Sequence, residues 1–244
     1  MKQSIFEIIE NTRLAPQVYR MKLRGDTSAI TVPGQFVNIQ LKGFFLRRPI
    51  SVCDYDENTL TILYKVVGKG TEAMSKMTPN HKLDVLTGLG NGYDTSVSGE
   101  KPLLIGGGVG VPPMYRLAKN LITEGKKPVV ILGFNTAAEV FYKEEFEKLG
   151  AEVHVATADG SVGVKGFVTD VVKTIPDYTY FYTCGPEPML KALSDVTTTS
   201  GQLSFEERMG CGFGACMGCS CQTKYGNKRI CKDGPVLVKE EIIW

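Results

Sequence analysis

Four cysteines near the C-terminus are spaced for metal chemistry: Cys211-x4-Cys216-x2-Cys219-x11-Cys231. Three thiolates on one tight loop, with a fourth from a later segment, is the plant-type spacing for a [2Fe–2S] cluster. The loop Gly210-Cys-Gly-Phe-Gly-Ala-Cys-Met-Gly-Cys219 holds four glycines in ten residues. Glycine lets the backbone wrap an inorganic core and turn its amides toward the sulfides. Structural zinc is the alternative, because zinc also takes four thiolates. Zinc sites usually pair two short knuckles, whereas here the fourth cysteine stands alone. Cys221 is an extra cysteine just beyond the loop, and the spacing favours Cys219 as the ligand.

Other segments could hold phosphate. Leu103-Leu-Ile105 runs into Gly106-Gly-Gly-Val-Gly-Val-Pro-Pro113 and then a helical pattern. Glycines there would let the backbone approach a phosphate, and the helix start would supply free amides. A simple tight turn is the other reading of Gly107, Gly108 and Gly110. A second turn, Thr183-Cys-Gly-Pro-Glu-Pro-Met189, follows the extended stretch Tyr178–Tyr182. Cys184 reads as a nucleotide-site residue or as a small buried one. Arg47-Arg-Pro-Ile-Ser-Val52 sets two arginines at a strand mouth, where their planar forks suit a diphosphate; an exposed basic turn is the alternative. Gly68-Lys-Gly-Thr71 is another short loop able to approach phosphate, and Tyr64 reads as a cofactor neighbour or as barrel packing.

The elements that position these groups change character along the chain. Residues 1–98 read as short strands, among them Phe36–Leu41 and Leu60–Lys65, punctuated by Gly, Pro, Asp and Asn. That pattern predicts a small antiparallel barrel. Gly88–Gly99 is polar and glycine-rich, and reads as a linker. Residues 99–204 alternate strand and helix: strands at Pro102–Ile105, Val129–Leu132 and Val153–Ala156, helices near Met114–Ile122, Phe141–Leu149, Phe167–Val172 and Met189–Val196. Such alternation predicts βαβ units and a parallel sheet. Residues 205–244 are cysteine-rich with little helical pattern, and too few to bury a large core alone. The expected class is α+β and multi-domain: an antiparallel β-barrel, an α/β parallel-sheet nucleotide domain and a small C-terminal cluster domain.

Composition narrows the chemistry. The net charge of +2 in 244 residues, with no basic run, gives no sign of a nucleic-acid or anionic-membrane partner. No stretch approaches about 18 consecutive apolar residues. The N-terminus has acids inside its apolar run, unlike a signal segment. A cytoplasmic protein is expected, in which seven cysteines argue for metal chemistry over disulfides. His81 and His154 are the only histidines, each isolated, so no serine–histidine or histidine–metal constellation can be assembled. Acid–base and hydrolytic catalysis are poor fits.

Together the motifs resemble the ferredoxin–NADP reductase superfamily, in which a flavin-binding barrel precedes a nicotinamide-binding domain. The resemblance rests on Arg48-Pro-Ile-Ser51, Leu63-Tyr-Lys65, Gly70-Thr71, the Gly-Gly-x-Gly-x-x-Pro run at 107–113 and Cys184-Gly-Pro-x-x-Met189. It implies FAD contacts at Arg48, Pro49, Ile50, Ser51, Leu63, Tyr64, Lys65, Gly70 and Thr71, with Ile50 where many members carry tyrosine. It implies nicotinamide contacts at Gly107, Gly108, Gly110, Cys184, Gly185 and Pro186. Ser204–Cys211, Cys231-Lys-Asp-Gly-Pro235 and Asp159–Asp170 resemble, more narrowly, the electron-transfer subunits of bacterial NAD-dependent dihydroorotate dehydrogenases. That resemblance covers essentially the whole chain. It implies a heterotetramer, two of each chain, with an FMN-bearing subunit that oxidises dihydroorotate. Electrons would pass through a [2Fe–2S] cluster on Cys211, Cys216, Cys219 and Cys231 to FAD and then NAD⁺, in de novo UMP synthesis. Substrate acid–base residues would lie on the partner. Gly133-Phe-Asn-Thr-Ala-Ala138 lacks the Arg or Lys that meets a 2′-phosphate, which favours NAD over NADP. Two other readings stay open: the flavin subunit of an NADH-dependent ferredoxin:NADP oxidoreductase or sulfhydrogenase, and a nucleotide-binding module with structural zinc.

Overall fold

The computed structural model describes residues 1–244. Six strands close an antiparallel barrel: β1 (Lys2–Ala15), β2 (Val18–Arg24), β3 (Phe36–Gln40), β4 (Arg48–Tyr55), β5 (Thr59–Lys65) and β6 (Lys82–Leu89), in the order β1-β2-β5-β4-β3-β6. Alternation along each strand sends one set of side chains inward. Phe6, Ile8, Met21, Val37, Ile39 and Ile62 therefore fill the interior. Gly68–Thr71, expected as a loop, instead opens helix α1 (Lys69–Ser75). The Thr71 hydroxyl, three residues into the helix, reaches back to accept the Gly68 amide at 3.3 Å and the Val67 amide at 2.9 Å, which fixes the helix start.

The second unit is a seven-stranded sheet. Its elements are β7 (Leu103–Gly107), α2 (Val111–Thr123), β8 (Val129–Phe134), α3 (Lys143–Lys148), β9 (Glu152–Thr157), β10 (Val164–Lys165), α4 (Val168–Val172), β11 (Phe181–Cys184), α5 (Glu187–Val196) and β12 (Gly201–Ser204). With β15 (Val236–Val238) from the tail, the order is β10-β9-β8-β7-β11-β12-β15, parallel except at its last edge. Strand β11 starts later than expected, because its parallel register on β7 begins at Phe181 opposite Leu103 and runs through Cys184 opposite Gly106.

The tail forms a hairpin, β13 (Ser220–Thr223) with β14 (Gly226–Arg229), and then β15 (Val236–Val238). Strand β15 adds antiparallel to β12, so the tail completes the nucleotide sheet. Its apolar side chains Ile230 and Leu237 pack with Phe36, Leu86 and Leu89 of the barrel. No helix is long and apolar enough to cross a membrane.

The segment read as a linker is a clamp. Tyr93 is buried, and its hydroxyl donates to the Thr183 carbonyl at 3.0 Å. The Tyr182 hydroxyl donates to the Asp94 carbonyl at 2.8 Å. Cys53 and Leu63 of the barrel share one apolar cluster with Met114 and Leu117 of α2. Beside it, Asp54 is paired with both Arg116 and Lys119 at 3.0 Å. Tyr93→Phe should remove one buried hydrogen bond at about 1 kcal/mol and lower the thermal midpoint by about 2–4 °C. An unchanged midpoint in differential scanning calorimetry would show that the segment clamps nothing.

Candidate functional site

The order of the large sheet reverses between β7 and β11: the chain winds outward through β8 and β9 on one side, and through β12 on the other. Ligands of open α/β sheets bind outside the strand ends at such a switch point. Gly107, Gly108, Gly110, Gly185 and Pro186 all lie there, lining a cleft of about 570 Å³. A Cβ on Gly110 would overlap the Cys184 carbonyl, and one on Gly185 would overlap Met189. Only bare backbone permits this approach of the two turns. Cys184 itself is buried, and burial pushes its thiol pKa well up. Cys184 does not itself line the cleft; its carbonyl packs against Gly110 at the cleft's edge.

The barrel contributes Pro16, Val18 and Lys65 to the same cleft. Leu63 packs between the domains and Tyr64 turns the opposite way, as alternation requires. The Tyr64 ring stacks on Tyr19 with centroids 5.8 Å apart, and its hydroxyl donates to Asn11 Oδ1 at 2.9 Å. Its side chain is barrel packing, one of the two readings that the sequence left open. Three residues that sequence reasoning missed also line the cleft: Glu139, Phe167 and Glu206. Phe167 and Glu206 fall within the stretches 159–170 and 204–211 that carry the narrower resemblance, whereas Glu139 lies in no motif. Glu206 also lines a second cleft with Phe205, Cys221 and Trp244, where desolvation raises its pKa. Cys221 thus faces that cleft.

The two barrel motifs converge. A Cβ on Gly70 would overlap the Arg48 guanidinium, which lies over the start of α1 and donates to the Leu46 carbonyl at 2.5 Å. Arg47 is committed elsewhere, paired with Asp84 at 2.8 Å. Arg48, with no acidic partner, is the cation of this pair left to meet an anion. Pro49 and Ser51 are half-buried on β4, and Ile50 packs against the barrel core.

In the tail the Cys211 thiol lies beside Cys216 and the Cys231 thiol beside Cys219, with Cys211 near enough to act on Cys231 as well. Four gathered thiols are the donor set that a [2Fe–2S] cluster would take. Backbone amides point at the sulfurs: Ala215 N–H to Cys211 Sγ at 3.2 Å, and Cys231 N–H to Cys219 Sγ at 3.4 Å. Burial would raise the Cys211 thiol, but the amides of Phe213, Cys216 and Ala215 and the Cys216 thiol bring it down to about 6. Burial and the Cys219 thiol push Cys231 up to about 12. The outer pair includes the exposed Cys216, whereas Cys219 and Cys231 are buried against the barrel. His81 and His154 stand apart, bonded to Thr78 and Glu152.

Comparison with known proteins bears on all three regions. Residues 206–243 match the family described as the iron-sulfur cluster binding domain of dihydroorotate dehydrogenase B. Residues 104–195 match the oxidoreductase NAD-binding domain. The electron transfer subunit of dihydroorotate dehydrogenase B (NAD(+)) from Fusobacterium nucleatum is 45% identical, over 99% of both chains. The chain belongs to this family. The same subunit from a Geobacillus species is 41% identical, over 100% of this chain and 99% of the relative. Among solved structures, an NADH-dependent reduced ferredoxin–NADP oxidoreductase studied for flavin-based electron bifurcation superposes with TM-score 0.89 at 29% identity, covering 98% of this chain and 90% of that one. A ferredoxin NADP⁺ reductase from Neisseria gonorrhoeae shares the fold, with TM-score 0.68 at 17% identity, covering 85% and 94%. The electron-transfer-subunit family thus accounts for the whole length, tail included. Gly110→Ala should force the two turns of the cleft apart and weaken NADH binding about tenfold, about 1.4 kcal/mol. Isothermal calorimetry giving the wild-type affinity would remove this contact from the cradle.

Proposed function

We propose that this chain is the electron-transfer subunit of an NAD-dependent dihydroorotate dehydrogenase, passing electrons from a catalytic partner to NAD⁺. The observation that carries the reading is the paired-thiol loop set between the barrel and the nucleotide sheet. Cys211, Cys216, Cys219 and Cys231 would hold a [2Fe–2S] cluster. Arg48 would take the FAD diphosphate near Gly70 and Thr71, with Pro49, Ile50, Ser51, Leu63 and Lys65 along the flavin. Gly107, Gly108, Gly110, Cys184, Gly185 and Pro186 would cradle the nicotinamide nucleotide. When bound, the cluster carries single electrons and FAD exchanges them for the electron pair that NAD⁺ needs.

This chain's own residues hold, insulate and select. The inner thiol pair is shielded by Ile230 and Leu237, whereas Cys216, Phe213 and Met217 are exposed and form the side open to a partner. That partner would be an FMN-bearing subunit oxidising dihydroorotate to orotate, in a heterotetramer of two of each chain serving UMP synthesis. Glu139 in the cleft supports NAD over NADP, because a carboxylate repels a 2′-phosphate. All seven cysteines are free, which supports a cytoplasmic setting. The domain limits proposed are 1–98, 99–204 and 205–244.

The decisive experiment is co-purification from native lysate under anaerobic conditions, with a visible spectrum and an assay of NAD⁺ reduction by dihydroorotate. Flavin and iron–sulfur absorbance with that activity is expected. A colourless protein without acid-labile sulfide would end the reading, and reduction only by ferredoxin would move it to the bifurcating class. Cys216→Ser should lose the cluster and keep most FAD; equal loss of both, by spectrum and iron analysis, would count against separate sites. Arg48→Ala should lower flavin occupancy several-fold with Arg47→Ala much milder; equal effects would remove Arg48 from the diphosphate role.

A further inference from the structure

A second cleft adjoins the nucleotide cleft at the start of α5. Gly185, Pro186 and Glu206 line both. The second holds about 420 Å³, and none of the roles assigned above fills it. Part of its wall is aromatic: Phe205, just past β12, packs on Trp244 with ring centroids 6.0 Å apart. Trp244 stays 38% exposed. The tail fixes this wall in place, for Ile242 bridges to Thr223 and the Lys224 amide donates to the Glu241 carbonyl at 2.9 Å.

The charge of the second cleft has one sign. Glu187, Glu206 and Glu207 line it, with no Lys, Arg or His. Desolvation alone raises the Glu206 pKa, as for a carboxylate without a neighbouring cation. An incoming positive charge stabilises such a carboxylate. An aromatic face attracts the same sign, and tryptophan does so most strongly. The cleft therefore suits a flat cation with apolar edges, and the nucleotide of the first cleft supplies one. Oxidised nicotinamide is a planar ring with a positive charge, whereas the dihydro ring left by hydride transfer is neutral.

We propose that the second cleft is a resting site for the oxidised nicotinamide ring of NAD⁺, in which Trp244 selects the charged ring over the reduced one. The rest of the nucleotide stays on the glycine turns of the first cleft. The ring passes over Gly185 and Pro186 to lie on Trp244 beside Glu206, and returns to receive a hydride. Hydride transfer removes its charge, so the site no longer attracts it. The chain thereby holds its substrate more tightly than its product. The proposal rests on the nicotinamide reading of the first cleft given above.

The test uses the full oxidised chain with its cofactors, and calorimetric titration with three probes. These are NAD⁺, its neutral tetrahydronicotinamide analogue, which cannot give a hydride, and ADP-ribose, which lacks the ring. Wild type should bind NAD⁺ about fivefold more tightly than the analogue, as one cation–π contact predicts. Trp244→Leu should abolish that preference by weakening NAD⁺ alone, with the other two probes within about twofold of wild type. Trp244→Phe, still aromatic, should keep part of it. Trp244 is the only tryptophan, so its emission is a second readout: NAD⁺ should quench it and ADP-ribose should not. A Trp244→Leu chain that keeps the preference, or that loses affinity for all three probes equally, would overturn the proposal and leave the nicotinamide reading intact. A wild-type chain that binds neither NAD⁺ nor ADP-ribose would overturn that reading, and the proposal with it.

Discussion

The forty residues that carry the paired thiols have too little apolar surface to fold by themselves, and their burial against two other units organises the molecule. Ile230, Leu237, Cys219 and Cys231 are covered by Phe36, Leu86 and Leu89 of the barrel. At the same time β15 extends the nucleotide sheet at β12. The tail therefore bridges the two larger units. Its burial places the inner thiol pair against the strand next to the one that would carry the flavin.

A chain that relays electrons needs its carriers at fixed separations, and the contacts between the units supply that rigidity. The barrel and the nucleotide unit share one apolar cluster, with Cys53 and Leu63 from one and Met114 and Leu117 from the other. Asp54 meets Arg116 and Lys119 at its edge, and the Arg116 guanidinium lies 4.0 Å from the Tyr55 ring centroid. Half-exposed ion pairs of this sort add little stability. They add direction to an interface whose energy is apolar burial, and so define how the two units face each other.

The nucleotide cleft works by a different economy. Its floor is backbone, brought close because Gly110 and Gly185 have no side chains to interfere. Its walls carry isolated charges, Lys65 on the barrel side with Glu139 and Glu206 on the other. Glycines allow close approach of backbone, and the charges give the two walls opposite signs.

Much of this was legible in the amino acids, because the signals are local. Cysteine spacing, glycine turns at strand ends and strand–helix alternation are short-range patterns that report short-range geometry. They marked the barrel, the parallel sheet and the glycine turns that line the cleft. Tertiary structure decided the rest, because each remaining question concerned partners far away in the chain. Arg47 is taken by Asp84 and Arg48 lies over Gly70. Tyr64 turns inward to Asn11. The presumed linker buries Tyr93 against Thr183. Asn38 reaches Cys211, 173 positions away. Residue type states what a side chain can do, but only packing determines which of its possible neighbours it meets.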